Sequence, residues 1–193
     1  MARVISNPQV VLRPQDVVVL LRLSLQNGAA PSYASLAKEL MLTASEIHAG
    51  VERALAAQLV RKDASGKPVV LLEPLRLFVK HGVRYCFPAT RGEITRGLPT
   101  GYAAPPLFAQ IVQPSEPPPV WPHKSGKVRG MAFYPLYPTV PDAAMANAAL
   151  YELLALVDAV RGGNVRERAI AVAALDKRLS PPCGVCAIQT TPM

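Results

Sequence analysis

The side chains of this sequence with the clearest chemical potential are cationic, and they are clustered. Residues 59–96 hold 8 Lys and Arg against 3 Asp and Glu, and the whole chain of 193 residues has a formal net charge of +8. The Arg53 guanidinium is a planar fork of donors that matches two acceptors at once, whereas the Lys62 and Lys67 ammonium groups are point charges. Such a cluster favours a polyanionic partner, because binding releases the counterions of the polyanion. A basic surface that only keeps the protein soluble is the alternative.

Two short helices with a tight turn between them would position Arg53. Ser32 is suited to cap the first helix. Thr43 and Glu46 have the spacing of a capping box, which predicts a second helix over 44–58. Apolar side chains recur on one face of that helix, namely Ile47, Val51, Ala54 and Leu55. The opposite face is polar or small, with Ser45, His48, Ala49, Glu52 and Arg53.

A basic hairpin over 61–70 follows the second helix directly. Asp63-Ala64-Ser65-Gly66 is a turn sequence, and residues 69–72 form an apolar returning strand. Lys62 and Lys67 flank the turn, where they are available to phosphates or to a minor groove. The alternative is that both lysines are simply solvated.

The order of helix, helix, capped helix and basic hairpin resembles that of winged-helix DNA-binding domains. Residues 14–72 resemble the reader domain of MarR-type transcriptional regulators. The resemblance rests on Tyr33–Ala37, Thr43–Val51 and Leu59–Arg61, and it covers about a third of the chain. The matching features are those of a superfamily and not of one protein.

Three features depart from that pattern. Met41 stands where many such turns carry Gly, and Gly50 lies inside the second helix at a cost of about 1 kcal/mol relative to Ala. This glycine would instead allow another helix or a phosphate backbone to approach closely. Residues 83–141 have no counterpart in a simple MarR-type dimer, which bears on the dimer architecture more than on DNA reading.

The resemblance implies that helix 44–58 lies in the major groove, with Arg53 positioned for a bidentate contact to guanine, and that the 61–70 hairpin contacts the DNA backbone. The predicted DNA-binding residues are Ser32, Tyr33, Thr43, Ala44, Ser45, His48, Ala49, Arg53, Lys62 and Lys67. Further DNA contacts, or internal ion pairs, are expected from Arg84, Arg91 and Arg96. The expected function is that of a sequence-specific, double-stranded DNA-binding transcriptional regulator, in the first place a repressor, acting as a homodimer. The alternative is a winged-helix module that binds a protein, such as an antitoxin-like partner of a toxin.

Other chemistries have little support in the sequence. The three cysteines are too few, and odd in number, for a disulfide framework. Cys183 and Cys186 have the spacing of half a zinc or redox site, but the remaining candidate ligands show no ligand spacing. His81 and Cys86 lack a third group of a catalytic triad, and a phosphate-binding or dinucleotide-binding glycine motif does not occur. We therefore expect no metal, no cofactor and no enzymatic activity.

The predicted fold class is α+β. It consists of an N-terminal winged helix-turn-helix domain (1–82), an irregular proline-rich middle containing short strands (83–141), a C-terminal helical hairpin (142–180) and a disordered tail (181–193). Helices are predicted at 14–26, 74–81, 143–160 and 165–179, strands at 83–87, 108–112, 119–121 and 127–133, and a polar loop at 90–97. The two C-terminal helices would pair across a two-fold axis.

We also expect a cytoplasmic protein without membrane contact. The sequence has no run of about 18 apolar residues, which is the shortest stretch that reads as a spanning helix. Residues 1–8 lack the hydrophobic region of a signal peptide.

Overall fold

The computed structural model describes residues 10–26 and 31–180, and it is a mixed α+β protein. The first elements along the chain are α1 (Pro14–Ser24), α2 (Tyr33–Leu40), α3 (Ala44–Ala56), β1 (Val60–Lys62) and β2 (Pro68–Val70). Their order and approximate bounds are those predicted from the sequence. The three helices bury large aliphatic side chains against one another, including Leu20, Leu21, Leu36, Leu40, Ile47 and Val51. This burial holds α3 with its polar face outward.

Local capping explains where α2 and α3 begin. The Ser32 hydroxyl accepts a hydrogen bond from the Ser35 N–H at 3.2 Å. The Thr43 hydroxyl accepts from the Glu46 N–H at 3.2 Å, while the Glu46 carboxylate accepts from the Thr43 N–H at 2.8 Å. The predicted capping box is therefore confirmed. Met41 ends α2 in the left-handed conformation, with φ of 54°, where glycine is commoner.

The β1–β2 hairpin is antiparallel, with Val60 opposite Val70 and Lys62 opposite Pro68. Its tip is closed by the Asp63 carboxylate, which accepts hydrogen bonds from the Ser65 N–H at 2.8 Å and the Lys67 N–H at 2.9 Å. An aspartate that binds the backbone two residues further on forms a turn without help from the rest of the fold. The hairpin was accordingly predictable from local sequence.

After the hairpin the chain is helical without interruption to Cys86. The elements are α4 (Leu72–Leu77), a π-helical turn (Phe78–Gly82) and α5 (Val83–Cys86). The strand predicted at 83–87 is wrong. Leu75, Val79 and Val83 lie four residues apart and are fully buried, so a helical apolar stripe continues into the segment predicted as a strand. Cys86, at the end of this helical segment, is exposed.

Three strands form a small closed barrel: β3 (Arg91–Pro99), β4 (Pro119–Pro122) and β5 (Val128–Phe133). Strand β3 is antiparallel to both others, which pair in parallel with each other. Glycine is needed for this closure, because a Cβ on Gly97 would lie 2.0 Å from the Trp121 carbonyl oxygen and one on Gly130 would lie 2.0 Å from that of Pro118. The strands predicted near 119–121 and 127–133 are confirmed. The loop predicted at 90–97 is strand β3, and the strand predicted at 108–112 is a series of turns and a bend.

The C-terminal helices are α6 (Val140–Ala146), α7 (Ala148–Gly162) and α8 (Val165–Arg178). The single helix predicted at 143–160 is therefore two, since the Asn147 side chain caps a new helix by accepting from the Leu150 N–H at 3.0 Å. Helix α7 is central: it packs on α1, α5, α6 and α8, and its residues 153–161 are all buried. The apolar face expected to pair across a two-fold axis is thus largely covered within the chain.

The N-terminal helices are joined to the rest of the protein. The Thr139 hydroxyl donates a hydrogen bond to the Leu40 carbonyl oxygen at 2.8 Å, across the boundary between the predicted first and second segments. Apolar side chains from α1, α3, α6 and α7 belong to one continuous cluster. In the described part of the chain, no helix is both long and apolar enough to cross a membrane. The predicted tail at 181–193 lies outside the described residues.

Candidate nucleic-acid interface

The exposed face of α3 carries several of the predicted contact residues. Ala44, Ser45 and His48 are exposed, and Ala49 is half-buried. The His48 side chain is 61% exposed, and its ring meets the Tyr33 ring of α2 edge to face, with centroids 5.7 Å apart. The fold therefore brings these residues together on one surface, and the aromatic contact holds the imidazole against α2.

The N-terminal ends of α2 and α3 differ in what they offer an anion. Thr43 and the Glu46 carboxylate already occupy the end of α3, and the backbone and side-chain hydrogen bonds of Thr43 lower the pKa of Glu46. A phosphate at that end would meet a carboxylate. Helix α2 has no acidic residue in its first turn, and Ser32 is exposed there. Of the two predicted phosphate contacts, Ser32 is thus the better placed.

Arg53 has a different position from the one its sequence context suggested. Its guanidinium makes two hydrogen bonds of 2.7 Å to the two oxygens of Asp16, a carboxylate of α1. The side chains of Arg53 and Asp16 are only 16% and 1% exposed, and the hydrogen bonds to Asp16 raise the pKa of Arg53. The expected contact between a free Arg53 fork and guanine is corrected: the fork is already satisfied by a buried carboxylate inside the protein.

Gly50 explains how this ion pair fits between α1 and α3. A Cβ at position 50 would lie 2.9 Å from an oxygen of Asp16, closer than real side-chain contacts allow. Asp16 is also held by the Arg13 N–H at 2.8 Å, so its carboxylate has little freedom to move away. The glycine in the middle of α3 therefore allows α1 to approach, which was one of the two roles expected for it.

The basic hairpin is attached to the α3 surface. The Lys62 ammonium lies 3.1 Å from a carboxylate oxygen of Glu52 on α3. Arg61 and Lys67 are also exposed, and Lys67 shows no ion pair among the described residues. The side-chain hydrogen bond of Ser65 and the backbone N–H of Lys67 lower the pKa of Asp63 at the hairpin tip. The α3 face and the hairpin thus form one continuous surface with cations at its edge.

The three additional arginines lie on other elements. The Arg84 guanidinium lies over the ring of Tyr85 in α5, 5.2 Å from its centroid. Arg91 donates to the Gly162 carbonyl oxygen at 2.9 Å, and Arg96 is exposed on β3 opposite Arg129 of β5. Arg91 therefore makes an internal hydrogen bond to the backbone, and none of the three arginines forms an ion pair within the described residues.

A buried charged network was missed by the sequence analysis. Asp158 on α7 is 2% exposed, and its carboxylate accepts from the Thr100 hydroxyl at 3.0 Å, the Trp121 indole N–H at 2.6 Å and the Arg161 guanidinium at 2.5 Å. Burial raises the pKa of Asp158, and the three donors oppose that shift. Arg161 also donates to the Phe87 carbonyl oxygen at 2.8 Å. The available signal was an aspartate inside the apolar run 153–160 with an arginine three residues later.

In the described part of the chain, no group of three or more His, Cys, Asp and Glu side chains is placed to hold a metal ion. Cys183 and Cys186 lie outside that part. Comparison of the chain with protein-family models, with curated proteins and with solved structures found no match. The function is therefore inferred from the geometry and charge of the chain's own residues.

Proposed function

We propose that this protein binds duplex DNA as a transcriptional regulator, with α3 in the major groove and the β1–β2 hairpin on the sugar–phosphate backbone. The observation that carries the proposal is the continuous surface formed by the exposed α3 face and the hairpin, joined by the Lys62–Glu52 ion pair at 3.1 Å. A capped helix of 13 residues is long enough to present several side chains to a groove. The positive net charge of the chain favours a polyanion.

The side chains of α3 and those of the hairpin have different roles in the proposal. Ser45 and His48 reach base edges, where a hydroxyl or an imidazole can donate or accept, and the Ala49 methyl group contacts a thymine methyl group. Arg61, Lys62 and Lys67 neutralise phosphates, which fixes position without reading sequence. Arg53 makes no base contact, because its guanidinium is bound to the buried Asp16 carboxylate. Tyr33 supports the His48 ring.

A regulator of this kind would act in the cytoplasm, and it would repress most simply by occupying a promoter. Two copies related by a two-fold axis would read the two halves of a palindromic site. Since α7 is covered within the chain, the dimer contact would use another surface.

The test is binding of purified protein to duplex DNA from its own upstream region, compared with a scrambled duplex at two salt concentrations. Lys62→Glu/Lys67→Glu should weaken binding and make the negative slope of log K against log salt shallower by about 2, since each lost phosphate contact removes about 0.9 from its magnitude. The matched control is Lys124→Glu/Lys177→Glu, which reverses two other exposed lysines and gives the same net charge. Equal losses in both variants would reduce the interaction to non-specific attraction and contradict the proposed surface.

A second candidate function, docking of a protein partner such as a toxin, is favoured by one observation. Two carboxylates lie on α3, Glu46 in its first turn and Glu52 paired with Lys62 of the basic hairpin, and a surface of mixed charge suits a protein better than a polyanion. Glu52→Gln distinguishes the candidates. It should strengthen DNA binding by removing a repulsive charge and freeing Lys62, whereas it should weaken a protein complex that uses this carboxylate.

A further inference from the structure

A groove lined by elements other than α3 lies between α8 and the helical stretch that contains the π-helical turn. Its volume is about 530 Å³. The residues that line it come from this stretch and from α7 and α8: Lys80, His81, Arg84, Tyr85, Val160, Val165, Arg168, Ala169 and Val172. None of them belongs to α2, α3 or the hairpin. The groove is thus a second surface to be explained.

The charge of this groove has one sign. Lys80, Arg84 and Arg168 are cationic, His81 is exposed, and no carboxylate is among the lining residues. Lys80 is paired with Asp176 at 3.0 Å, so its charge is largely compensated. Neither Arg84 nor Arg168 pairs with a carboxylate within the described residues. Arg168 donates a hydrogen bond to the Gly163 carbonyl oxygen at 2.7 Å, and the Arg84 guanidinium lies over the Tyr85 ring, so each keeps its positive charge uncompensated. The groove is therefore complementary to an acidic ligand.

The same groove exposes apolar surface that the fold does not cover. Tyr85 of α5 and Val165 of α8 are each 75% exposed, and Val172 of α8 is half-buried. Exposed apolar side chains that occur singly need no explanation, but two of them with further aliphatic side chains in a shared concave surface are typical of a binding site.

The π-helical turn shapes this side of the groove. The Val83 N–H bonds to the Phe78 carbonyl oxygen, five residues back, and a Cβ on Gly82 would meet the Phe78 ring at 2.9 Å. A π turn inserts one extra residue into a helix, which shifts the side chains that follow it around the helix axis. Arg84 and Tyr85 follow the turn directly, so their presentation at the groove depends on it.

We propose that this groove docks an acidic, amphipathic helical segment of a protein partner. Its carboxylates would meet Arg84 and Arg168, and its apolar side chains would pack on Tyr85, Val165 and Val172. All 13 Asp and Glu side chains of this chain lie within its described residues, so the residues outside them do not supply such a segment. A nucleic acid fits less well, because a charged phosphate backbone gains nothing by packing on the aliphatic side chains of the groove. The proposal does not depend on DNA binding by α3.

The test uses the full chain and a fluorescein-labelled helical peptide with glutamates on one face and leucines four residues apart on the other. Saturable binding should weaken about tenfold or more when the glutamates are replaced by glutamine, and again with Val165→Glu, each loss being worth about 1.4 kcal/mol. Val165→Glu should fold normally, because it places an acidic residue at the exposed first position of α8, where the helix dipole favours it. The control is Val112→Glu, the same change at another highly exposed valine.

Four outcomes of the binding assays would overturn the proposal, and a fifth comes from the oligomeric state. They are no peptide binding up to about 1 mM, equal binding of the glutamine peptide, unchanged binding by Val165→Glu, and displacement of the peptide by single-stranded oligonucleotide at the groove. Loss of peptide binding on dimer formation, measured by sedimentation, would identify a second copy as the occupant and would equally contradict a protein partner. The peptide results do not depend on whether α3 and the hairpin bind duplex DNA.

Discussion

Arg53→Met separates a structural role for this arginine from a base-reading one. Methionine is an unbranched side chain with a helix propensity close to that of arginine. The change leaves the Asp16 carboxylate buried, with the Arg13 N–H as its remaining partner. Breaking a buried ion pair from one side costs about 3–5 kcal/mol. Because Arg53 is 16% exposed and Asp16 keeps one donor, we expect the lower end, about 3 kcal/mol. With a urea m-value of about 2 kcal/mol/M, the unfolding midpoint should fall by about 1.5 M.

The assay is urea unfolding followed by circular dichroism, with two companion variants. Arg178→Met breaks the exposed pair with Glu152 and should cost at most about 1 kcal/mol. Asp16→Asn/Arg53→Met removes the uncompensated charge and should be more stable than Arg53→Met alone. A change below about 1 kcal/mol in Arg53→Met, together with lost selectivity for one duplex, would refute the structural role and restore the base contact.

Three further predictions concern the packing of α3, the buried network and the hairpin tip. Gly50→Ala should lower the free energy of unfolding despite the better helix propensity of alanine, because its Cβ meets the fixed carboxylate of Asp16; a rise in thermal stability would contradict this. Asp158→Asn should cost about 3–5 kcal/mol in urea unfolding by leaving Arg161 buried without a counterion, and a loss under about 1 kcal/mol would contradict it. The pKa of Asp63 is lower in the folded than in the unfolded protein. The stabilisation of the turn by this carboxylate is therefore complete at a pH above the unfolded-state pKa and is lost as the pH falls through the folded-state pKa. An NMR titration of this carboxylate should give a midpoint below 3.8, and a midpoint at or above 3.8 would contradict the hydrogen bonding.

Local signals account for the parts of the fold that were predicted correctly. The N-caps at Ser32 and Thr43 and the Asp63 turn are each satisfied by atoms within four residues, so they can be recognised without knowing the rest of the structure. Strand β3 is different, because its polar, glycine-containing sequence is extended only through pairing with β4 and β5. Residues 83–86 are helical because Val83 continues the buried stripe of the preceding turns.

The candidate interface was predictable in part for the same reason. The exposure of Ser45 and His48 follows from the period of the apolar stripe in α3. The partner of Arg53 lies 37 residues away on α1, and no pattern within α3 indicates it. Asp158 likewise meets Trp121 only because α7 packs against the barrel. Long-range polar pairs of this kind depend on tertiary packing, which single-sequence patterns do not encode.

The most direct measurement of the proposed DNA surface is an amide NMR titration of the intact protein with duplex DNA from its upstream region. Binding by α3 and the hairpin predicts that the largest shift changes fall on Ser45, His48 and the hairpin residues Lys62 and Lys67, with a smaller response to a scrambled duplex. Changes centred on Val165 and the groove beside α8, or equal and diffuse changes with both duplexes, would contradict it.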